Sequence, residues 1–234
     1  MAARRPSVWV TRTEPGASAT ARRVEALGAE AILEPLLEVR ALADAPIDLA
    51  EVCALAFTSA NAVRVFAELC HARDLPVFTV ADATAAAARA VGFATVVSAR
   101  GDVAALAELL IARRRDLGGI VLHPGAAEPA GDLAGALAGA GVPVRDLTLY
   151  ETAPRDPSPA LLARLQNIDL VLLHSPKAAR RLVEVLDANP APHLIAFCLS
   201  RAVAEPLSGA GLAKVRVAAS PTEDDLLALI GTAD

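Results

Sequence analysis

One pattern of strand, hydroxyls and helix is written twice in this chain, and the repetition restricts its possible folds more than any other feature. Val52 to Phe57 is an apolar strand that ends at Thr58-Ser59 and runs into a helix from Asn61 to about Arg73. Half a chain later, Leu170-Val171-Leu172-Leu173 ends at His174-Ser175 and runs into Pro176-Lys177-Ala178-Ala179. The neighbouring blocks repeat in the same order. Val8-Trp9-Val10-Thr11 is matched by Gly119-Ile120-Val121-Leu122-His123, and a helix from Ala17 to Leu27, stopped by Gly28, is matched by Asp132–Ala140, stopped by Gly141. The strand Val77–Val80 with its helix Thr84–Val91 and stop at Gly92 returns as Leu194–Leu199, Ser200–Leu207 and Gly211. Phe93–Ser98 with the helix Val103–Arg115 returns as Val215-Arg216-Val217 and a helix after Thr222, where Thr222 to Asp225 reads as a variant capping box. This is an internal duplication. Alternating strands and helices make the chain α/β, each half a Rossmann- or flavodoxin-like three-layer (α/β/α) unit with a parallel sheet.

Two stretches complicate the plan. Ala31-Ile32-Leu33 is a strand, but Pro35 separates it from Leu36–Val39, which reads as an extended crossing segment. Asp48 to Cys53 reads as a short helix before the strand that ends at Phe57. The duplication alone would divide the chain near Leu117.

Composition narrows the function. A core built from 54% hydrophobic but only 3% aromatic residues suits strands buried on both faces under closely packed helices. The net charge of −5 argues against nucleic acid or an anionic membrane as partner, because phosphate surfaces attract basic patches. Cys53, Cys70 and Cys198 have no metal-ligand or CxxC spacing and read as buried free thiols in a reducing compartment. Arg4 and Arg5 precede too short an apolar run for a signal sequence, and no uncharged apolar run reaches the ~18 residues of a membrane span. A cytoplasmic protein is expected.

In doubly wound sheets ligands bind beyond the carboxyl ends of the strands. Here those ends carry Thr11, Arg12, Thr58, Ser59, Ala81, Asp82 and Thr84 in the first copy, and His123, Gly125, His174, Ser175, Ser200 and Arg201 in the second. A strand that stops at Ser before a helix puts a hydroxyl and free N–H groups at the helix's positive end, which suits an anion. Ser59, Thr58, Asn61 and Ser175 therefore read both as caps and as anion ligands. Arg12, Lys177 and Arg201 are candidate carboxylate partners. His123 and His174 form no metal-ligand pattern, so no metal site is expected. No strand leads into G-x-G-x-x-G or a phosphate-binding loop, which argues against a nucleotide cofactor.

Taken with their order, Val10-Thr11-Arg12, Phe57-Thr58-Ser59-x-Asn61-Ala62-Val63, Tyr150-Glu151-Thr152, His174-Ser175-Pro176 and Pro221-Thr222 resemble the uroporphyrinogen-III synthase family over essentially the whole chain. The resemblance implies two similar intertwined domains: residues 1–37 with 152–234, and residues 40–148, joined by crossing segments at about 36–40 and 149–153. It implies a monomeric lyase without cofactor. That enzyme cyclises hydroxymethylbilane, a linear tetrapyrrole with eight carboxylates, to uroporphyrinogen III by losing water and inverting ring D through a spiro intermediate. Tyr150 matches the family's tyrosine and would donate a proton to the leaving hydroxyl, since a phenol is protonated at neutral pH. Thr84 matches a family threonine that contacts substrate. The sequence departs from the family's Gly-x-x-Thr pattern at Ala81, Ser200 and Val203, so the first copy retains more of it and the substrate should lean on that copy. The competing reading is a two-lobed binding or regulatory homologue without turnover, which the degenerate second copy (His174, Val203) favours.

Overall fold

The computed structural model describes residues 4–14, 16–42, 47–129 and 131–232. It divides into two compact units, one of residues up to Glu38 together with those from Ala153 on, the other Val39–Thr152. The division does not fall at the repeat boundary near Leu117. Strand pairing explains why.

The first unit contains β1 (Ser7–Val10), α1 (Gly16–Ala26) and β2 (Glu30–Leu33). The chain passes into the second unit along β3 (Leu37–Ala41) and leaves it along the end of β8 (Val144–Pro154). The second unit holds β4 (Val52–Phe57), α2 (Ala60–Leu69), β5 (Val77–Thr79), α3 (Asp82–Ala90), β6 (Val96–Ser98), α4 (Val103–Ala112), β7 (Ile120–Ala126) and α5 (Leu133–Gly139). The chain then completes the first unit with α6 (Pro159–Arg164), β9 (Leu170–Leu173), α7 (Pro176–Ala188), β10 (Ile195–Cys198), α8 (Arg201–Ala204), β11 (Lys214–Val217) and α9 (Glu223–Ala228).

Among the described residues the first sheet runs β11-β10-β9-β1-β2 and the second β3-β8-β7-β4-β5-β6. Matching strands by the repeat (β9 with β4, β10 with β5, β11 with β6, β1 with β7, β2 with β8) gives one strand order in both units, with β3 added at an edge of the second. The central pairs β1–β9 and β4–β7 are parallel, and each joins a strand of one copy to a strand of the other. Cutting between the copies would split both sheets down the middle.

Each sheet is buried on both faces. In the second unit Leu55, Phe57 and Leu122 pack under Val63, Phe66 and Phe93, while Ala54, Ala56 and Val121 pack under Leu106, Leu110, Leu133 and Leu137. The alternation follows from side chains pointing to opposite faces along a strand. Phe57 and Phe66 meet edge to face at 5.6 Å. In the first unit Trp9, Val171 and Leu173 face Leu182 and Val203, and Val8, Val10 and Leu172 face Val24 and Leu226. Gly28 and Gly141 end equivalent helices at φ +84° and +72°, the left-handed region that a side chain opposes.

The crossing segments, which the resemblance implies are paired strands, are β3 and the end of β8, neighbours in the second sheet. Two expectations change. No helix forms over Asp48–Cys53: Asp48–Glu51 make a turn, in which Asp48 Oδ1 accepts from Ala50 N, Val52 N donates to Leu49 O and Glu51 sits at φ +61°, and Val52 and Cys53 already belong to β4. A carboxylate that binds the backbone two residues on favours a turn over a first helical turn. The thiols are free, but only Cys198 is buried; Cys53 and Cys70 are half-buried. Burial pushes the Cys198 thiol up to about 12, which leaves it unreactive. Among the described residues no helix is long and apolar enough to cross a membrane.

Candidate active site

The strand order of each unit reverses at its central pair, so the carboxyl ends of β4 and β7 in one unit, and of β9 and β1 in the other, are where an open α/β sheet places its ligand. Each end is described separately.

In the second unit β4 delivers two successive hydroxyls, Thr58 and Ser59, both partly exposed. Ser59 is extended (φ −153°, ψ 152°) and caps α2, its Oγ accepting from Ala62 N at 3.0 Å. The same Oγ lies 2.8 Å from the Tyr150 hydroxyl. Tyr150 comes from β8 and is buried in the apolar cluster with Phe57 and Phe66. Burial raises its pKa above the ordinary phenol value, and the bond to Ser59 opposes that only in part. The phenol therefore keeps its proton throughout the neutral range, and its route outward is Ser59.

Thr58 is backed in a similar way from β7. Its Oγ1 lies 3.3 Å from His123 Nε2, and His123 Nδ1 lies 2.8 Å from Asp146 Oδ1 on β8, its cross-strand neighbour. An ionised carboxylate only accepts, so Nδ1 carries the hydrogen and Nε2 is left as acceptor for the Thr58 O–H. The imidazole is 5% exposed and the Asp146 side chain 61%. Beside them opens a cavity of about 510 Å³ lined by His123, Gly125, Asp132, Asp146 and Thr148. Asn61, in the first turn of α2, has a buried Oδ1 without a hydrogen-bond partner among the described residues. Thr84 is buried in the first turn of α3, which begins at Asp82 with no side-chain cap at Ala81.

The first unit's strand ends are arranged otherwise. Thr11 is fully buried and its hydroxyl donates to Leu172 O at 2.6 Å, so it ties β1 to β9 and presents nothing outward. Ser175 caps α7 by accepting from Ala178 N at 3.2 Å, with Pro176 in the position a proline prefers. Arg12 and His174 are already engaged by a carboxylate of the chain. Glu223 Oε2 takes Arg12 Nη1 at 3.0 Å and His174 Nε2 at 2.9 Å, while Oε1 takes the Thr20 hydroxyl. Burial alone would raise the Glu223 pKa, but the hydrogen bonds from His174 and Thr20 and the charges of His174 and Arg12 outweigh it and hold the carboxyl near about 2. His174 Nδ1 is buried without a hydrogen-bond partner among the described residues. Gly16 keeps this arrangement possible, because a Cβ there would stand 2.4 Å from Arg12 Nε.

The sequence candidates thus separate. Thr58, Ser59 and Tyr150 come together with His123 and Asp146; Arg12 and His174 come together with Glu223 and Thr20. Ser200 precedes the four-residue α8 and caps nothing with its hydroxyl, Arg201 is exposed, and Lys177 is half-buried on the first turn of α7. Sequence reasoning missed Asp146, Thr20 and Glu223. No group of three His, Cys, Asp or Glu side chains among the described residues could hold a metal ion.

A family model described as uroporphyrinogen-III synthase HemD matches residues 18–228. In structure the chain is similar to uroporphyrinogen-III synthetase from Helicobacter pylori, at 18% identity and a TM-score of 0.68, covering 99% of this chain and 100% of that one. It is also similar to a mutant uroporphyrinogen III synthase from Thermus thermophilus, at 18% identity and a TM-score of 0.51, covering 97% and 98%. At such identities the likeness is one of fold. No curated protein sequence matches significantly.

Proposed function

This chain belongs to the uroporphyrinogen-III synthase family, and from that premise we infer that it closes hydroxymethylbilane to uroporphyrinogen III, with Tyr150 as the proton donor. The family's reaction loses the terminal hydroxyl as water and inverts ring D through a spiro intermediate. Departure of that hydroxyl leaves a methylene cation that the attached pyrrole stabilises, so the enzyme's work is to protonate the leaving oxygen and to hold the rings in place.

The hydrogen bond between the buried Tyr150 hydroxyl and Ser59 is the observation that carries the assignment. A phenol whose pKa is raised by burial stays protonated, and Ser59 is the partly exposed oxygen through which its proton can pass. Ser59 gives its hydrogen to the leaving hydroxyl as Tyr150 gives its own to Ser59, and the phenolate then takes a proton back from solvent through Ser59. The free N–H groups at the start of α2, with Asn61, would hold a substrate carboxylate beside this pair. In the first unit, taken by itself, Arg12, His174 and Ser175 are the candidate carboxylate ligands, with Lys177, Ser200 and Arg201 outside them; Thr84 lies near the second unit's strand ends. In this reading the chain works as a cytoplasmic monomer, needs no cofactor, and has no nucleic-acid partner.

The test is to add the protein to freshly made hydroxymethylbilane and separate the products. Type III isomer in excess supports the reading; only the spontaneous type I isomer would leave a binding homologue without turnover.

A further inference from the structure

Cyclisation needs a second proton transfer that Tyr150 does not supply. When the terminal ring's α-carbon forms the last carbon–carbon bond, it becomes tetrahedral and keeps its hydrogen. The ring is then a cation and regains aromaticity only when that hydrogen leaves as a proton. One proton is delivered to the departing hydroxyl and one is taken from carbon, so the reaction balances as substrate giving product and water.

The geometry points to Thr58, His123 and Asp146 as the route for the second proton, with Thr58 the group that meets the substrate and His123 the positioning base behind it. This rests on the synthase reading above and adds to it a residue set that acts separately from Tyr150. Three observations support it. Thr58 and Ser59 are successive residues at the end of β4, so a substrate carbon reaching one hydroxyl stands beside the other. His123 Nε2 faces the Thr58 hydroxyl at 3.3 Å as an acceptor, because Asp146 at 2.8 Å holds the hydrogen on Nδ1. The imidazole is buried, whereas the carboxylate behind it is largely exposed and leads to water.

The C–H bond of the terminal ring breaks and its electron pair returns to the pyrrole. Its proton goes to Thr58 Oγ1 as the Thr58 hydrogen moves to His123 Nε2. The resulting imidazolium is held by Asp146 and loses its proton to solvent along that exposed side. Apart from Thr58 and Asp146, no titratable or hydroxyl side chain lies within hydrogen-bond distance of the His123 ring among the described residues.

The experiment uses the whole chain, first establishing that wild-type protein makes the type III isomer. If it does not, the synthase reading fails and the relay is not what failed. Given type III product, kcat and KM are measured for His123→Ala, His123→Gln, Thr58→Val and Asp146→Asn, with and without added imidazole. His123→Ala should lower kcat by about 10- to 1000-fold, the scale of one acid/base contributor, with KM within about twofold. Free imidazole, small enough for the neighbouring cavity, should restore part of the rate in His123→Ala and none in Thr58→Val. His123→Gln keeps a hydrogen-bonding group near Thr58 but moves no proton, and should stay slow. Full rate in His123→Gln, or a rise in KM at unchanged kcat, would make His123 a structural residue and overturn the inference. Should His123→Ala fail to fold, Asp146→Asn decides, its side chain being exposed: a fall in kcat of about tenfold is expected, and wild-type kcat refutes the relay.

Discussion

The two units share one strand order but use their central strand ends in opposite ways. In the second, partly exposed hydroxyls at Thr58 and Ser59 stand in front of buried titratable groups, His123 and Tyr150. In the first, a cation and an imidazole, Arg12 and His174, are quenched by the chain's own Glu223. At equivalent places the residue types are exchanged: β7 carries histidine where β1 carries Thr11, and β9 leads to histidine where β4 leads to Thr58. On one strand order, one unit therefore sets an imidazole between a hydroxyl and a carboxylate while the other keeps a charge pair. The difference lies in which partner each imidazole meets. His123 meets a hydroxyl on one nitrogen and a carboxylate on the other; His174 meets a carboxylate on one and, among the described residues, no hydrogen-bond partner on the other.

The largest effect that would test this contrast is on turnover. Tyr150→Phe should lower kcat by about 10- to 1000-fold, on the order of 1.4–4 kcal/mol of activation free energy, with the fold intact. Unchanged turnover would remove the phenol from the chemistry and leave the second unit only the route through Thr58 and His123. Next in size is Glu223→Ala. Loss of its hydrogen bonds to His174, Thr20 and Arg12 should cost about 1.5–3 kcal/mol in denaturant unfolding, the range for bonds to a charged group. A cost near zero would mean the charge pair does not organise the first unit.

Smaller still, Ser59→Ala and Ser175→Ala remove equivalent helix caps and should each cost about 1 kcal/mol of stability. Only Ser59→Ala should also slow catalysis beyond what its loss of stability explains, because only Ser59 touches a phenol. Equal kinetic losses from both would erase the distinction between the units. The last effect is on pH dependence. Glu223 has a folded value of about 2 against an ordinary 4.5, so its contribution is complete above 4.5 and is lost as pH falls through about 2. Acid titration of stability should therefore be shallower between those limits in Glu223→Gln than in the wild type, and identical slopes would show that the carboxyl is not depressed.

Much of the fold was readable because the duplication and the glycine stops are local, periodic signals. The caps at Ser59 and Ser175 were readable for the same reason: each bonds the amide three residues on. The partners behind the site were not. Tyr150 lies 91 positions from Ser59, and only β8 pairing beside β7 brings them together. Asp146 faces His123 through strand register, which no local pattern encodes. Glu223 is an acidic residue in a helix's first turn, a place that suits the helix dipole and gives no sign of a site; that it folds back on Arg12, 211 positions away, is a tertiary fact. Thr11, read as a donor for substrate, spends its hydroxyl on Leu172 because β9 lies directly beside it.

Interleaving of the copies has a consequence for biosynthesis. The first strand made, Val8-Trp9-Val10, finds its central partner only when residues 162 positions later have been made, as the bond from Ser7 N to Asp169 marks. At about 5–20 residues per second the ribosome leaves that apolar strand waiting on the order of 8–30 s. Meanwhile Val39–Thr152 emerges as one continuous stretch with its strands at hand. During that interval the nascent chain carries the whole middle unit and an opening strand that has β2 on one side and no central partner on the other.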